Sequence, residues 1–459
     1  MTLLKPNLNY AYPTAVKAEG CRIFDTTGRE WIDASSGAIA CSIGHGHPAV
    51  KAAMLEAVTD LSFVYRTQFT NASAERLSQR LCQRLGYGGA FFVNSGSEAV
   101  ETAIRLAMQV WRERGKPGKT KIISRRLSYH GATGTALGIS GHWPRRRSAG
   151  PLSGEPNQPT PYTLRKPSGQ SLEQFTESCA EALEQEISQY GKDAIAAFII
   201  EPITGASGAA IVPPDGYLKR MREICDRNDV LLIADEVLTG LGRTGEWLAM
   251  DHGGVKADIV CLGKGLNAGY LPISGVLIDE RVYESLRAGS GLFPLGHTHS
   301  NHPVAAAVAN AVLDVLESDN LVSRAKLKGE TLGKSLAKLM EKYDFICDVR
   351  GAGMLWGLEL ASSKSSLAPF PPEYLTADTL VQNAFEYGLV IYPSVGFAGR
   401  LGGDAVIVAP PLNISDEDLS AIVERLDSAL ALTAIHLLTR GADIASVASE
   451  GTRLATTVV

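Results

Sequence analysis

Four short segments of this 459-residue chain carry residue types that could do chemistry together. The first is Leu262-Gly263-Lys264-Gly265-Leu266, directly after the apolar run Ile259 to Leu262. A lysine between two glycines at a strand end is poorly explained by packing. Partial burial would lower its pKa and leave an amine able to attack a carbonyl. Read alone, it could equally be a solvated turn lysine. The second is Ile233-Ala234-Asp235-Glu236-Val237, at the end of another apolar run. A carboxylate there faces the crevice in which open α/β sheets bind ligands, where it could keep a heterocyclic nitrogen protonated. Read alone, it could simply cap the next turn. The third is Asn94-Ser95-Gly96-Ser97-Glu98. Ser95 with Glu98 three residues on predicts a capping box and a helix starting near Gly96. The free amides of that helix end attract anions, and Gly96 and the Ser97 hydroxyl suit a phosphate. Such a cap also occurs without any ligand.

The fourth segment is Gly296-His297-Thr298-His299-Ser300-Asn301-His302-Pro303. It supplies a hydroxyl ahead of another helix. Three histidines there raise a metal reading, but no carboxylate joins them and the approach to Pro303 need not converge their rings, so no metal is expected. Gly240-Leu241-Gly242-Arg243-Thr244-Gly245 matches a dinucleotide-binding pattern. The stretch after it is too short for the crossover helix that pattern needs, and no acid ends the next strand.

The elements that must position these residues read as alternating strands and helices. Strands are predicted at Ala90 to Val93, Lys121 to Ser124, Ala196 to Ile200, Leu231 to Ala234, Ile259 to Leu262 and Ile273 to Ile278. Helices are predicted from Ser97 to Arg114, with Val100, Ala103, Ile104, Ala107 and Trp111 on one face, and from Tyr217 to Arg227. This alternation predicts a mostly parallel sheet covered on both faces. Pro303 opens a further helix. After about residue 320 the pattern changes to a smaller α+β unit with helices at Leu321 to Tyr343 and Tyr374 to Tyr387. Pro144 to Ser171 reads as a long loop, and Ser394 to Asp404 as a glycine-rich mobile one.

Hydrophobic residues make up 45% of the chain and charged residues 20%, an ordinary soluble composition. A net charge of −5 gives no electrostatic case for nucleic acid or an anionic membrane. Seven scattered cysteines without a CxxC pair argue for a reducing compartment. No apolar run is long enough for a signal-peptide core or a membrane span, so a cytoplasmic protein is expected.

Taken together, the motifs resemble the class III (omega) aminotransferases, a family of pyridoxal-phosphate (PLP) enzymes of fold type I. The likeness runs from about Gly20 to Arg425. It rests on Gly44-His-Gly-His-Pro48, Asn94-Ser-Gly-Ser-Glu-Ala99, Tyr129-His130-Gly131, Glu201-Pro202, Asp235-Glu-Val237, Gly242-Arg-Thr-Gly245, Lys264-Gly-Leu266 and His297-Thr298, in the family's order.

The resemblance implies a large, mostly parallel α/β domain plus a smaller α+β domain. Its expected limits are an N-terminal segment 1–46, a PLP-binding domain 47–318, a small domain 319–440 and a tail 441–459. It implies transfer of an amino group from an amine or amino acid to a keto acid or aldehyde, in a ping-pong mechanism. Lys264 would carry PLP as a Schiff base and shuttle the proton, and Asp235 would pair with the pyridine nitrogen. Gly96 and Ser97 would hold the phosphate, and Tyr129 and Val237 would flank the ring. His130 and Glu201 would line the site. Thr298 would reach the phosphate of a neighbouring subunit, making a homodimer with shared sites. Leu238 replaces a glutamine common in the family, and Ile39 stands where some amine-accepting members have tryptophan. Arg400 is a candidate for a substrate carboxylate. The same fold and lysine also serve racemases, decarboxylases and phospho-lyases, and those reactions stay open here.

Overall fold

The computed structural model describes residues 3–147, 149–150, 152–399, 402–442 and 444. Its centre is a six-stranded sheet of Gly89–Val93, Ser274–Ile278, Ile259–Leu262, Leu231–Asp235, Ile195–Ile200 and Lys121–Ile123, in that spatial order. Ser274–Ile278 runs antiparallel to both neighbours, while the remaining adjacent pairs are parallel. Every residue of Ile195–Ile200, Leu231–Asp235, Ile259–Leu262 and Ser274–Ile278 is buried. Such unbroken apolar strands belong to a sheet covered on both faces. The helix Gly96–Glu113 supplies one cover, burying Val100, Ala103, Ile104, Ala107 and Trp111.

Parallel pairing has a consequence for chemistry. Asp235 lies opposite Cys261, so the strands leading to Asp235 and Lys264 end side by side. Glu201 directly follows Ile195–Ile200, and Ser95 to Ser97 follow Gly89–Val93. Four separate strands therefore deliver their next residues to one edge of the sheet, where open α/β folds bind ligands.

A second, fully antiparallel sheet contains Ile346–Ala352, Leu355–Leu360, Gly402–Val408 and Tyr392–Ala398 in that order. Helices Leu321–Lys342, Thr376–Glu386 and Asp416–Thr439 accompany it. A third sheet joins the N-terminal strands Ala15–Glu19, Arg22–Asp25 and Glu30–Asp33 to Leu389–Val390 from the other end of the chain.

One loop prediction is corrected, and the other is kept with short helical turns added. Ser394 to Asp404 is not a free loop: its ends belong to a β-hairpin, with Val395 opposite Asp404 and the Ser394 hydroxyl donating to the Ala206 carbonyl at 2.8 Å. The stretch from Pro144 contains the short helix Trp143–Arg146 and a 3-10 turn at Thr163–Arg165. The Gly240 to Gly245 segment is a packed turn. Gly245 lies against Lys326 of the helix Leu321–Lys342, and buried Arg243 donates to the carbonyls of Met354 and Pro410 at 3.0 and 2.6 Å.

Candidate active site

A cleft of about 220 Å³ opens at the strand ends. Gly96, Ser97, Tyr129 and His130 line it together with Glu201, Asp235, Val237 and Lys264. The sequence motifs thus converge from positions up to 168 residues apart (264 − 96). Among the described residues, a larger, more apolar cleft near Phe91 and Phe293 is lined by no lysine, histidine or carboxylate.

Lys264 follows Gly263 in a short 3-10 turn and has a φ of +40°, a left-handed conformation that costs a side-chain-bearing residue energy. Gly263 is required by space: a Cβ there would stand 2.7 Å from Ser274 Oγ and 3.0 Å from a Val237 methyl. Enclosure by protein pulls the Lys264 amine down to about 8, because an ammonium is poorly solvated there. The charge of Arg145 adds to this effect and that of Asp235 opposes it.

Asp235 is buried, and its Oδ2 lies 2.8 Å from Nδ1 of buried His130. Its other oxygen accepts from the Val237 amide at 3.2 Å. His130 Nε2 is enclosed without a partner among the described residues. Glu201 accepts the Tyr129 amide at 3.0 Å and the Gly205 amide at 2.9 Å, tying down the Tyr129 segment. Burial raises its pKa.

The helix Gly96–Glu113 begins where expected, with Ser95 Oγ accepting the Glu98 amide at 3.2 Å. The reciprocal half of the predicted box is displaced by one residue: Glu98 accepts from the Asn94 amide at 2.7 Å, not from Ser95. The Ser97 hydroxyl accepts the Ala132 amide at 3.0 Å, holding the Tyr129 loop against the helix start.

These residues fit PLP. The cleft holds an 18-residue helix's N-terminus for a phosphate, a buried carboxylate for a ring nitrogen and an amine that loses its proton readily.

Other predicted residues lie elsewhere. Ile39 is buried with a φ of 62° and does not line the cleft; it packs in one apolar cluster with Ile203, which does. Thr298 is exposed and also outside the cleft. Arg400 lies outside the described residues. Among those described, no group of three or more His, Cys, Asp or Glu side chains is placed to hold a metal ion. Sequence reasoning missed Arg145, Tyr392, Ile203 and Ala206, which also line the cleft. Arg145 sat in a stretch read as loop, and the apolar residues carry no signal apart from their neighbours.

A sheet with one reversed strand, a buried acid ending one strand and a lysine after the next describe a PLP-dependent enzyme of fold type I. Solved structures agree. An amine transaminase from an uncultivated Pseudomonas species, in its PLP-bound form, superposes with a TM-score of 0.88 at 32% identity, over 94% of this chain and 99% of that one. The ω-transaminase of Pseudomonas jessenii gives 0.89 at 31% identity, over 96% and 98%.

The chain belongs to the class-III aminotransferase family, whose model matches residues 6–430. It is 42% identical to the uncharacterised aminotransferase YodT of Bacillus subtilis, over 92% of this chain and 95% of that protein. It is 32% identical to the putrescine–pyruvate aminotransferase of Pseudomonas aeruginosa, over 92% and 91%. The protein is a PLP-dependent aminotransferase acting on a small-molecule amino donor and acceptor, and the racemase, decarboxylase and phospho-lyase alternatives fall away. No helix among the described residues is long and apolar enough to cross a membrane.

Proposed function

We propose that this aminotransferase takes its amino group from an amine or amino acid and delivers it to a keto acid or aldehyde, with Lys264 as the catalytic base and the attachment point of PLP. The observation that carries the assignment is the Lys264 amine. It makes no hydrogen bond or ion pair among the described residues, is drawn down to about 8, and shares a cleft with the Asp235–His130 pair. Bound PLP supplies an electron-accepting ring for the charge left when a substrate carbon loses its proton.

The chain's own residues then have distinct tasks. Lys264 Nζ takes the proton from that carbon and returns it. Asp235 keeps a proton on the ring nitrogen, and His130 Nδ1 holds the carboxylate in place. The amides at Gly96 and Ser97 bind the phosphate, assisted by the positive end of the helix dipole. Tyr129 and Val237, both lining the cleft, would flank the bound ring, while Glu201 fixes Tyr129 through its amide. Arg400 remains a candidate for a substrate carboxylate and Ile39 for shaping the substrate pocket.

The proposed active unit is a homodimer in which Thr298 of one protomer reaches the phosphate held by the other. Its support is local: Thr298 is exposed, and neighbouring His299 meets half-exposed Phe63 at 5.6 Å between ring centroids, close in sequence to exposed Tyr65 and Phe69. The described cysteines are all unpaired, which suits a cytoplasmic location. The division at residues 46, 318 and 440 is proposed with this reading.

The testing experiment separates the two half-reactions. An amine or amino acid should bleach the visible absorbance of the loaded enzyme, and pyruvate or 2-oxoglutarate should restore it. The Pseudomonas aeruginosa relative pairs putrescine with pyruvate, so putrescine is a reasonable first donor. Bleaching that no keto acid or aldehyde reverses would defeat the proposal.

A further inference from the structure

We propose that Arg145 anchors the carboxylate of an acid-bearing substrate in this cleft, a role separate from the one the sequence suggests for Arg400. The inference rests on the aminotransferase reading above and deepens it to a substrate class: amino acids and keto acids with a short apolar carbon chain.

Arg145 lines the same cleft as Lys264, Tyr129 and Asp235. Its guanidinium carbon stands 3.8 Å from the centroid of the Tyr129 ring, and its Nη2 donates to the Tyr392 hydroxyl at 3.2 Å. Its Nη1 is enclosed and has no hydrogen-bond partner, and no carboxylate pairs with it among the described residues. Neighbouring arginines differ. Arg146 donates to the carbonyls of Leu137, Gly138 and Ser140 at 3.0, 2.6 and 2.7 Å. Arg165 and Arg350 both pair with Glu359 at 2.6 and 2.7 Å. Arg145 is thus a cation in the reaction cleft with a donor left over. An enclosed donor without an acceptor is costly, and a planar carboxylate is the ligand that takes guanidinium donors in parallel.

The segment that carries it is fixed. His142 Nε2 lies 2.7 Å from the Val395 carbonyl, and burial pushes that imidazole down to about 4, so it stays neutral and donates. Pro144 packs on Gly396, where a Cβ would meet its ring at 2.2 Å. The guanidinium is therefore held between the Tyr129 ring and the hairpin strand Tyr392–Ala398. Ile203, Ala206 and Leu238 line the same cleft and favour an apolar remainder of the substrate.

The test uses the PLP-loaded enzyme and its Arg145→Gln and Arg145→Lys variants. Calorimetric titration with isobutyrate, an unreactive carboxylate, reads acid binding without turnover. Half-reactions with alanine and with isopropylamine compare a donor bearing a carboxylate with one bearing a methyl in its place. Arg145→Gln should weaken isobutyrate on the order of thirty-fold or more and raise the alanine KM to match. Its isopropylamine half-reaction should fall at least about tenfold less than the alanine one, the ratio cancelling whatever loss of the Arg145 charge does to the Lys264 amine in both. Arg145→Lys should fall between, because it keeps the charge and loses the fork. Unchanged isobutyrate affinity in Arg145→Gln overturns the proposal, as does a wild-type enzyme that does not bind isobutyrate. Equal losses for acid and amine, or a fall in PLP affinity with their ratio unchanged, also overturn it and make Arg145 a cofactor contact. A wild-type enzyme that loads PLP but transfers no amino group from any donor defeats the parent reading instead, and the isobutyrate titration still judges Arg145.

Discussion

Burial works against a lysine's charge, and at Lys264 that is visible in a pKa near 8 against an ordinary 10.5. The difference corresponds to roughly 3 kcal/mol of unfavourable charging in the folded apoenzyme. Between these two values the unfolded chain holds more protons than the folded one, so stability should rise with pH across that window. Below about 8 both states are charged and the penalty is fully present. Lys264→Met should therefore stabilise the PLP-free protein at pH 7, with the advantage shrinking from about pH 8 to pH 10.5; denaturant melts at several pH values would show it. A pH-independent gain would mean that packing alone is responsible. Lys264→Ala should abolish turnover with the fold retained, and near-normal rates would end the assignment. Asp235→Asn should fold and bind PLP but lose on the order of a hundredfold in rate, about 2.7 kcal/mol of barrier, because an amide cannot hold a pyridinium proton as a carboxylate does. An unchanged rate would leave Asp235 as a turn cap. That both residues stand in one cleft was legible in the sequence, because each lies at or just after the end of an apolar run. Arg145 was not legible. Arginines at 145, 146 and 147 look alike in a string, and only the partners of each side chain separate them.

Elements bring these groups together through close backbone approach. Gly131 shows how little room there is: its φ is +136°, and a Cβ would lie 2.6 Å from the Ser97 hydroxyl and 3.0 Å from the Ala136 methyl. Gly134, three residues on, opens the short helix Gly134–Gly138, and a Cβ there would meet nothing within 4 Å among the described residues. Gly131→Ala should push the Tyr129 loop off the helix start and weaken PLP binding at least tenfold, whereas Gly134→Ala should stay within about 0.5 kcal/mol of wild type in stability. Parallel PLP titrations and thermal melts would distinguish them, and equal tolerance at both sites would show that the loop is not packed as described. The central strands and the helix Gly96–Glu113 were readable within a residue or two because their apolar periods are long and clean. The hairpin containing Ser394 was not, since its glycines imitate a loop and its register is set by Asp404 and its neighbours across the turn. The third sheet was hidden for the same reason at longer range. Glu30–Asp33 finds Leu389–Val390 more than 350 residues away, and neither run announces a partner.

The whole molecule raises the question of what completes the cleft. Thr298 lies outside the cleft of its own chain, on a turn that leads into the helix Pro303–Ser318. If two protomers share sites, each cleft combines Lys264 of one chain with Thr298 of the other. Lys264→Ala and Thr298→Asp would each be inactive alone, the first for want of an amine and the second because a carboxylate would face a phosphate. In a heterodimer of the two, one cleft receives both defects and the other neither. Random exchange makes half the dimers mixed, each with one working site of two, so about a quarter of wild-type activity should return. If Thr298 serves its own chain instead, every cleft in the mixture is defective and nothing returns. The decisive measurement is activity after co-refolding the two variants, with subunit exchange verified by native mass spectrometry. Exchange without recovered activity would reject shared sites while leaving Lys264 and Asp235 untouched, because their cleft is built within a single chain.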